Sequence, residues 1–329
     1  MAGMNVLVTG ATGFVGSNLC RGLLARGHKV RAFHRPSSSK RLLEGLDVEH
    51  ALGDITQPET IEKALEGIEA VFHTAAWMGG QGEPGRQYAV TVEGTRNLLQ
   101  AAKRAGVRRI VHTSSVAALG VPQTIEPGGE PALINENHTW NFRPDYYPYG
   151  YAKYLAEQEV QKAVAGGLDV VIVNPSLIFG PGDVYRQASS IITLVAERRL
   201  SFAIEGGNNA VHIDDVVDGH IAALECGRTG ERYILAGTNL THLQLLEIIA
   251  EITGVPAPNL VLPGWLVRSL SRPAKLLNAF LNLPASPDIL RLAGYYFFYD
   301  RSKSAAELGL GDPRPVKEAI SEAYHWFNA

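Results

Sequence analysis

A serine, a tyrosine and a lysine near the middle of the chain have the types and spacing that acid-base chemistry at a carbonyl or carbinol carbon requires. Ser115 closes the run His112-Thr113-Ser114-Ser115, and Tyr149 stands four residues before Lys153 in a stretch of helical period. That spacing puts both side chains on one helical face. We therefore expect the lysine ammonium to lower the tyrosine pKa, and we expect Ser115 to hold a substrate oxygen beside the phenol.

The same spacing recurs at Tyr299 and Lys303, near the end of the chain. No serine pair at the end of a parallel strand precedes this second pair, so we predict that Tyr299 packs at a strand end. Tyr146, Tyr147 and Tyr151 crowd the first pair, but none has a lysine four residues later. We predict that they form pocket wall or core.

A glycine-rich turn near the N-terminus predicts a dinucleotide site. The apolar run from Val6 to Thr9 leads into the turn and then into a helical stretch. In this context the glycines permit a tight turn, close approach of a pyrophosphate and close packing of helix on strand, while the helix N-terminus offers N–H groups to the anion. The predicted contacts of the turn are Gly10, Thr12, Gly13, Phe14, Val15 and Gly16.

The end of the second predicted strand favours NADP over NAD. Phe33-His34-Arg35 lacks the carboxylate that usually accepts from the ribose 2′-OH of NAD. Arg35 and Lys40 are suited to a 2′-phosphate through charge-assisted hydrogen bonds. The alternative is that both are ordinary solvated charges on a loop.

Further candidate contacts follow the later strands, because ligands of open parallel sheets bind at the carboxyl ends of strands. Asp54 is placed to accept from the adenine amino group, although an aspartate in this position is often only a helix cap. Small residues after the fourth strand would let the backbone lie against the cofactor. The predicted contacts are Asp54, Ile55, Thr74, Ala75, Ala76 and Thr113.

Alternation of strand-like and helical segments predicts an α/β fold, a doubly wound parallel sheet with helices on both faces. Buried strands are predicted at 5–9, 29–34, 48–52, 70–74, 109–113 and 169–173. After Pro175 helices dominate and the pattern indicates a smaller substrate-binding region. We assign 1–174, with a return at 211–227, to the Rossmann domain, and 175–210 with 228–329 to the substrate-binding region.

Composition excludes several classes of partner. The formal charge of -3 gives no reason to expect nucleic acid or an anionic membrane.

No metal site is expected, and His212, Asp214 and Asp215 are predicted to form a strand end and helix cap. Cys20 and Cys226 are predicted to be unpaired, buried thiols in a reducing cytoplasm. The apolar segment 260–298 is interrupted by basic residues and is predicted to be packed helices, with a lid or membrane-facing surface as the alternative.

As a set, the motifs resemble the extended short-chain dehydrogenase/reductase family, of the NAD-dependent epimerase/dehydratase type. The matches are GATGFVG at 10–16, GD at 53–54, HTAA at 73–76, TSS at 113–115, YxxxK at 149–153, NPSLIFGPGD at 174–183 and HIDDVVDGH at 212–220. Within the family the chain looks like the branch of dihydroflavonol 4-reductases, 3β-hydroxysteroid dehydrogenases and hopanoid-associated sugar epimerase-like proteins; GERYILAGTNLT at 230–241 is especially similar to the last group.

The resemblance implies that Ser115, Tyr149 and Lys153 are the catalytic set, that Lys153 also holds the nicotinamide ribose, and that Pro175, Ser176 and Ile178 line the nicotinamide. It also implies a homodimer through helices at 84–105 and 150–166.

The chain departs from the family pattern in three places. Asn208-Asn209-Ala210 stands where many nucleotide-sugar epimerases carry an arginine, Ser115-Val116-Ala117 replaces the Thr-Asp-Glu of dehydratases, and Thr91 replaces an asparagine. These changes count against nucleotide-sugar dehydration and weaken the assumed proton-relay contact at position 91.

Three functions remain open at this point. The leading prediction is an NAD(P)H-dependent oxidoreductase that reduces a ketone or oxidises a secondary alcohol of a small, fairly apolar molecule, with Tyr149 as acid and base. The second is an NAD(P)-dependent sugar or nucleotide-sugar epimerase, which returns its cofactor unchanged. The third is a cofactor-binding regulator without turnover.

Overall fold

The computed structural model describes residues 3–77, 84–123, 129–184, 189–200, 202–269 and 290–328. Its strands are β1 (Asn5–Thr9), β2 (Lys29–His34), β3 (Glu49–Leu52), β4 (Ala70–His73), β5 (Arg109–Thr113), β6 (Val170–Pro175), β7 (Leu177–Phe179), β8 (Ala203–Ile204), β9 (Gly207–His212), β10 (Arg232–Leu235), β11 (Thr238–Thr241), β12 (Val261–Leu262) and β13 (Tyr296–Phe297). Its principal helices are α1 (Phe14–Ala25), α2 (Pro58–Ala64), α3 (Pro84–Tyr88), α4 (Gly94–Ala105), α5 (Pro148–Ala165), α6 (Ser190–Ala196), α7 (Ile213–Cys226), α8 (His242–Thr253), α9 (Ser302–Leu308) and α10 (Val316–Asn328).

Seven parallel strands form the main sheet, in the order β10-β6-β5-β4-β1-β2-β3. The chain builds outward from β1 through β2 and β3, then crosses to β4 and builds outward in the other direction. The strand order therefore reverses between β1 and β4, and a crevice opens there at the carboxyl ends of the strands. The predicted doubly wound α/β sheet is confirmed, with each of the six predicted strands within two residues of its observed bounds.

Helices cover both faces of the sheet because both faces are apolar. On one face Leu19 and Leu23 of α1 and Ile221 of α7 pack on β-strand valines and alanines. On the other face α2, α4 and α5 cover a second cluster that includes Leu98 and Val160. Burying one such leucine contributes about 2 kcal/mol, so the two clusters fix the relation of the helices to the strand ends.

A smaller region, built from the later part of the chain, stands beside the sheet. β9 pairs antiparallel with β11 and parallel with β7 and β13, while α6, α8 and α10 enclose a third apolar cluster. A later part of the chain joins the main sheet, because β10 pairs with β6. The division into domains at 1–174, 175–210, 211–227 and 228–329 stays a prediction. The assignment of substrate binding to the smaller region stays a prediction.

The structure bears on the predictions for the two cysteines and for the apolar segment 260–298. Cys20 is buried, but Cys226 at the end of α7 is exposed, so the prediction of two buried thiols is wrong for Cys226. Cys226 is the last residue of α7, where the helix no longer covers it. Within the described ranges no helix has both the length and the apolar character needed to cross a membrane. The central part of the predicted lid segment, 270–289, lies outside the described residues.

Candidate active site

A cleft of about 1170 Å³ opens where the strand order reverses, at the carboxyl ends of the main strands. It brings together residues that are far apart in sequence. The predicted site residues that line it are Gly10, Thr12, Gly13, Phe14, Val15, Gly16, Arg35, Asp54, Ile55, Thr74, Ala75, Ala76, Thr113, Ser115, Tyr149, Lys153, Pro175, Ser176 and Ile178. Lys40 is exposed at the start of a 3-10 turn and does not line the cleft.

The glycine turn between β1 and α1 is made for close approach of backbone to a ligand. Gly10 has a φ of +67°, which favours glycine, and a Cβ on it would lie 2.9 Å from the backbone of Ala75. A Cβ on Gly16 would lie 2.2 Å from the carbonyl oxygen of Gly10. Helix α1 starts after Gly13 with no side-chain cap and no acidic residue in its first turn. Its free N–H groups and positive dipole end therefore suit the pyrophosphate of a dinucleotide.

At the end of β2, His34 contacts His50 of the neighbouring strand β3, and an exposed arginine follows. His34 Nε2 lies 3.0 Å from Nδ1 of His50, and burial is the largest cause that lowers the pKa of His50. Arg35 follows on the surface and lines the cleft. Asp54 accepts from the backbone N–H and the hydroxyl of Thr56 through one oxygen, Oδ1. The loop is thereby fixed while Asp54 still borders the cleft.

The catalytic candidates meet on the floor of the cleft. Ser115 caps a short 3-10 helix, and its hydroxyl accepts from the backbone N–H of Ala117 at 3.2 Å. Tyr149 lies in the first turn of α5, directly after Pro148, and Ser115 is close enough to its hydroxyl to influence the pKa of the phenol. A serine hydroxyl and a phenol that border the same cleft can bind one substrate oxygen between them.

Lys153 is buried one turn further along α5, and its Nζ donates to the carbonyl of Thr113 at 2.9 Å. This bond fastens α5 to the end of β5 and fixes where the ammonium sits. Burial lowers the pKa of Lys153 to about 8, while the nearby charge of Glu157 opposes that shift. The lysine therefore changes charge near physiological pH.

The expected lowering of the tyrosine pKa is wrong for the protein without ligand. Burial raises the pKa of Tyr149, and the nearby Ser115 side chain is the opposing influence. The ammonium of Lys153 is directed to the backbone of Thr113 instead of the phenol. Desolvation of the phenolate therefore outweighs the effect expected from helical spacing.

Two buried histidines lie beneath the cleft, His73 at the end of β4 and His220 in α7. Burial lowers the pKa of His73 to about 3 and that of His220 to about 4, so both are neutral at pH 7. His220 bonds Oγ1 of Thr113 at 2.8 Å and the carbonyl of Val216 at 2.7 Å. Since a carbonyl only accepts, Nδ1 carries the proton and Nε2 accepts from the threonine hydroxyl. This arrangement fixes the side chain of Thr113, whose carbonyl holds Lys153.

The other half of the cleft has a wall that the sequence analysis missed, except for Tyr147, which was predicted to be pocket wall or core. It is formed largely by apolar and aromatic side chains from distant segments, together with a few polar ones: Trp77, Arg86, Val116, Tyr147, Leu177, Ile204, Asn208, Asn209, His242, Leu292, Phe297 and Tyr299. Arg86 stacks on Trp77 at 4.4 Å, and Asn208 bonds His242 at 3.0 Å. Asn209 is buried and accepts from Ser176 at 2.7 Å, which ties this wall to the nicotinamide side.

The other residues singled out in the sequence, Tyr299, Lys303 and His212, have roles in packing, ion pairing and helix capping. Tyr299 is buried and bridges Ile134, as expected for packing at a strand end, but it also borders the cleft. The Nζ of Lys303 donates to Glu231 at 2.7 Å, so Lys303 does not act together with Tyr299. His212 caps α7 by accepting from the N–H of Asp214, which confirms the predicted strand end and cap. No cluster of metal-binding side chains occurs in the described part of the chain.

Comparison with known proteins agrees with this geometry. Residues 6–236 match the NAD dependent epimerase/dehydratase family. The chain is 39% identical to "Sterol demethylase protein B" of Methylococcus capsulatus, over 98% of both chains. It is 36% identical to "Putative dihydroflavonol 4-reductase" of Synechocystis, over 97% of this chain and 93% of the relative. Among solved structures, gox2253 is similar with a TM-score of 0.85 and 35% identity, covering 98% of this chain and 97% of that one.

The match spans both the glycine turn and the Ser115, Tyr149 and Lys153 set, and it confirms the resemblance drawn from the motifs. We conclude that the chain belongs to the NAD-dependent epimerase/dehydratase family of extended short-chain dehydrogenases/reductases.

Proposed function

We propose that the protein is an NAD(P)H-dependent oxidoreductase that reduces a ketone, or oxidises the corresponding secondary alcohol, of a small and fairly apolar molecule. The observation that carries this proposal is that Ser115 and Tyr149 line the same cleft, with Lys153 buried one helical turn away. A bound reduced nicotinamide supplies the hydride. The residues of this chain supply orientation and the proton.

The division of labour follows from the contacts. Ser115 and Tyr149 bind the substrate oxygen, and Tyr149 gives its hydroxyl proton to that oxygen as the carbonyl becomes an alcohol. Because burial raises the pKa of Tyr149, the phenol is protonated at neutral pH, which suits the reductive direction. Lys153 keeps its ammonium against the strand end, where it stabilises the phenolate left by proton transfer.

The substrate half of the cleft favours an apolar molecule with few charges. Val116, Leu177, Ile204, Leu292 and Phe297 contribute apolar surface to its wall. An apolar body would gain about 25 cal/mol for each Å² removed from water, and a polar group on it can meet Asn208 or His242. The names of the two curated relatives, a sterol demethylase component and a reductase, agree with such a substrate.

We infer that NADP is the preferred cofactor. Arg35 is exposed at the end of β2 and borders the cleft, and Ser38 stands close behind it in the same wall. A guanidinium and a hydroxyl can both donate to a 2′-phosphate, whereas a 2′-hydroxyl finds no carboxylate at the end of β2.

The test is a panel of apolar ketones and the matching alcohols, each supplied with NADPH, NADH or the oxidised forms. We expect net oxidation of NADPH with at least one ketone, at a higher kcat/KM than with NADH. Epimerisation is the second candidate function, because the family includes epimerases. An epimerase would convert a sugar without net change in reduced cofactor, and that result with no ketone reduced would overturn the first proposal.

A regulator without turnover is a third alternative. Wild-type protein that binds NADPH but converts neither ketones nor sugars would favour it. The retained Ser115, Tyr149 and Lys153 set, with its hydrogen-bonded geometry, argues for chemistry.

We also propose a homodimer formed through the helices at 84–105 and 150–166, in a reducing cytoplasm. Helices α4 and α5 lie side by side on one face of the sheet, and both cysteines are unpaired. Light scattering tests the first point, and a monomer across micromolar concentrations would contradict it.

A further inference from the structure

Glu157 is a carboxylate with no exposed surface, on the face of α5 that packs against the main sheet. It stands four residues after Lys153, so the two side chains lie on the same helical face. Complete burial of a charged side chain is costly unless partners compensate it. The burial of Glu157 therefore needs an explanation beyond packing.

The partners of Glu157 lead to the catalytic set. Its Oε1 accepts from Nδ2 of Asn174 at 2.7 Å, and the same amide donates to the backbone carbonyl of Ser115 at 2.9 Å. Oε2 lies 3.3 Å from the guanidinium of Arg232, on the neighbouring strand β10. One carboxylate thus connects α5, β6 and β10 with the main chain of the serine.

Glu157 also acts on Lys153 through charge. Lys153 is buried, its Nζ has one backbone acceptor at Thr113, and Glu157 is the carboxylate that favours its charged form. The neutral imidazoles of His73 and His112 on the adjacent strands provide no negative charge there.

We propose that Glu157 is a positioning residue that keeps Lys153 in the ammonium form and, through Asn174, fixes the backbone of Ser115. The inference deepens the proposed function and rests on the roles of Ser115 and Lys153 there. Glu157 does not contact substrate; it acts through its two neighbours.

The groups that bear on the charge of Lys153 can be named from each element. Glu157 and Tyr149 belong to α5, His73 and His112 face it from β4 and β5, and Arg232 approaches Glu157 from β10. Glu157 is the one carboxylate in this set, so removing its charge should lower the pH at which Lys153 loses its proton.

The experiment compares Glu157→Gln with wild type. Glutamine keeps the shape and an oxygen for Asn174 but removes the charge. Glu159→Gln is the matched control, because Glu159 lies on the same helix and pairs with Arg96 at 2.8 Å and Lys162 at 2.7 Å, away from the catalytic set. If the single variant does not fold, the double variant Glu157→Gln/Arg232→Gln is used, because it removes both members of the ion pair. Thermal unfolding identifies the folded variants.

Two quantities are measured from pH 6 to 10: the dissociation constant of NADPH, from the fluorescence of the bound cofactor, and the kcat of ketone reduction. We expect the alkaline decline of both to move about one pH unit lower in Glu157→Gln, and in the double variant by less, with Glu159→Gln unchanged. Folded Glu157 variants whose two profiles coincide with wild type would overturn the inference.

The two proposals fail separately. If wild type binds NADPH but reduces no ketone, the proposed function fails and the pH profile of NADPH binding decides the role of Glu157. If wild type reduces ketones and neither profile moves, Glu157 is only structural. Wild type that binds neither NADPH nor NADH at any pH would overturn both.

Discussion

The two halves of the cleft are built in different ways. The dinucleotide half is mostly backbone: a glycine turn, the uncapped start of α1 and the small residues Ala75 and Ala76. The substrate half is mostly side chains, including Trp77, Leu177 and His242, brought together from distant segments. The backbone half is specified by a short local pattern, whereas the other half depends on the whole fold. Substitutions should therefore affect the two halves by different mechanisms and by different amounts.

The largest effect on cofactor binding is expected at Gly16, because a Cβ there would lie 2.2 Å from the carbonyl oxygen of Gly10. Gly16→Ala should weaken NADPH binding by about a hundredfold or more, since the turn must shift away from the pyrophosphate. Gly311→Ala is the control, because a Cβ there meets nothing within 4 Å. NADPH affinity is measured by fluorescence titration. An affinity of Gly16→Ala within about threefold of wild type would contradict the claim that the dinucleotide half is formed mostly by backbone.

A smaller effect is expected in acid, beneath the dinucleotide half. Burial lowers the pKa of His220 to about 4, below its ordinary 6.5, so the unfolded chain binds a proton that the folded chain rejects between these values. The contribution of His220 to the free energy of unfolding is therefore fully present above pH 6.5 and is lost as the pH falls toward 4. The loss amounts to about 2 to 3 kcal/mol.

His220→Gln should therefore lose less free energy of unfolding between pH 7 and 4 than wild type, by urea titration at each pH. The exposed His325→Gln is the matched control. Equal losses in wild type and His220→Gln would show that the buried imidazole is not the acid-sensitive group.

Arg35 should distinguish the two cofactors by a moderate amount. Arg35→Ser should weaken NADPH about tenfold and leave NADH unchanged, because the lost hydrogen bonds go to the 2′-phosphate alone. Arg41→Ser, which removes another basic residue behind the same strand, is the control. Equal loss for both cofactors would contradict a 2′-phosphate site.

The smallest effect is expected in the substrate half. Leu177→Ala removes part of one apolar wall among several, so the KM for an apolar ketone should rise about threefold with little change in kcat. Leu240→Ala, which trims the same apolar cluster without lining the cleft, is the control. A large fall in kcat for Leu177→Ala would mean that this side chain orients the reacting carbon, and the comparison between the halves would need revision.

Local patterns predicted the doubly wound sheet, the glycine turn and the spacing of Tyr149 and Lys153. Each depends on neighbours within one or two turns of chain, so the amino-acid types carry the information. Lys40 does not line the cleft: its charge is visible in the sequence, but the direction of its loop is not.

Features that depend on tertiary packing could not be predicted. Burial reversed the expected direction of the Tyr149 pKa, and α5 must dock on β6 before Glu157 meets Asn174. Cys226 likewise lies on a helix whose exposed side is decided by its packing. The wall of the substrate half has no spacing rule, because its members share only a surface.

The most direct test of the central claim is Tyr149→Phe. Tyr151→Phe is the control, because Tyr151 lies on the same helix and its ring contacts Trp140. The phenol is proposed to donate the proton, so NADPH oxidation with a reducible ketone should fall about a thousandfold while the NADPH dissociation constant stays within about threefold. A Tyr149→Phe protein that binds NADPH and keeps more than about a tenth of wild-type turnover would contradict the account.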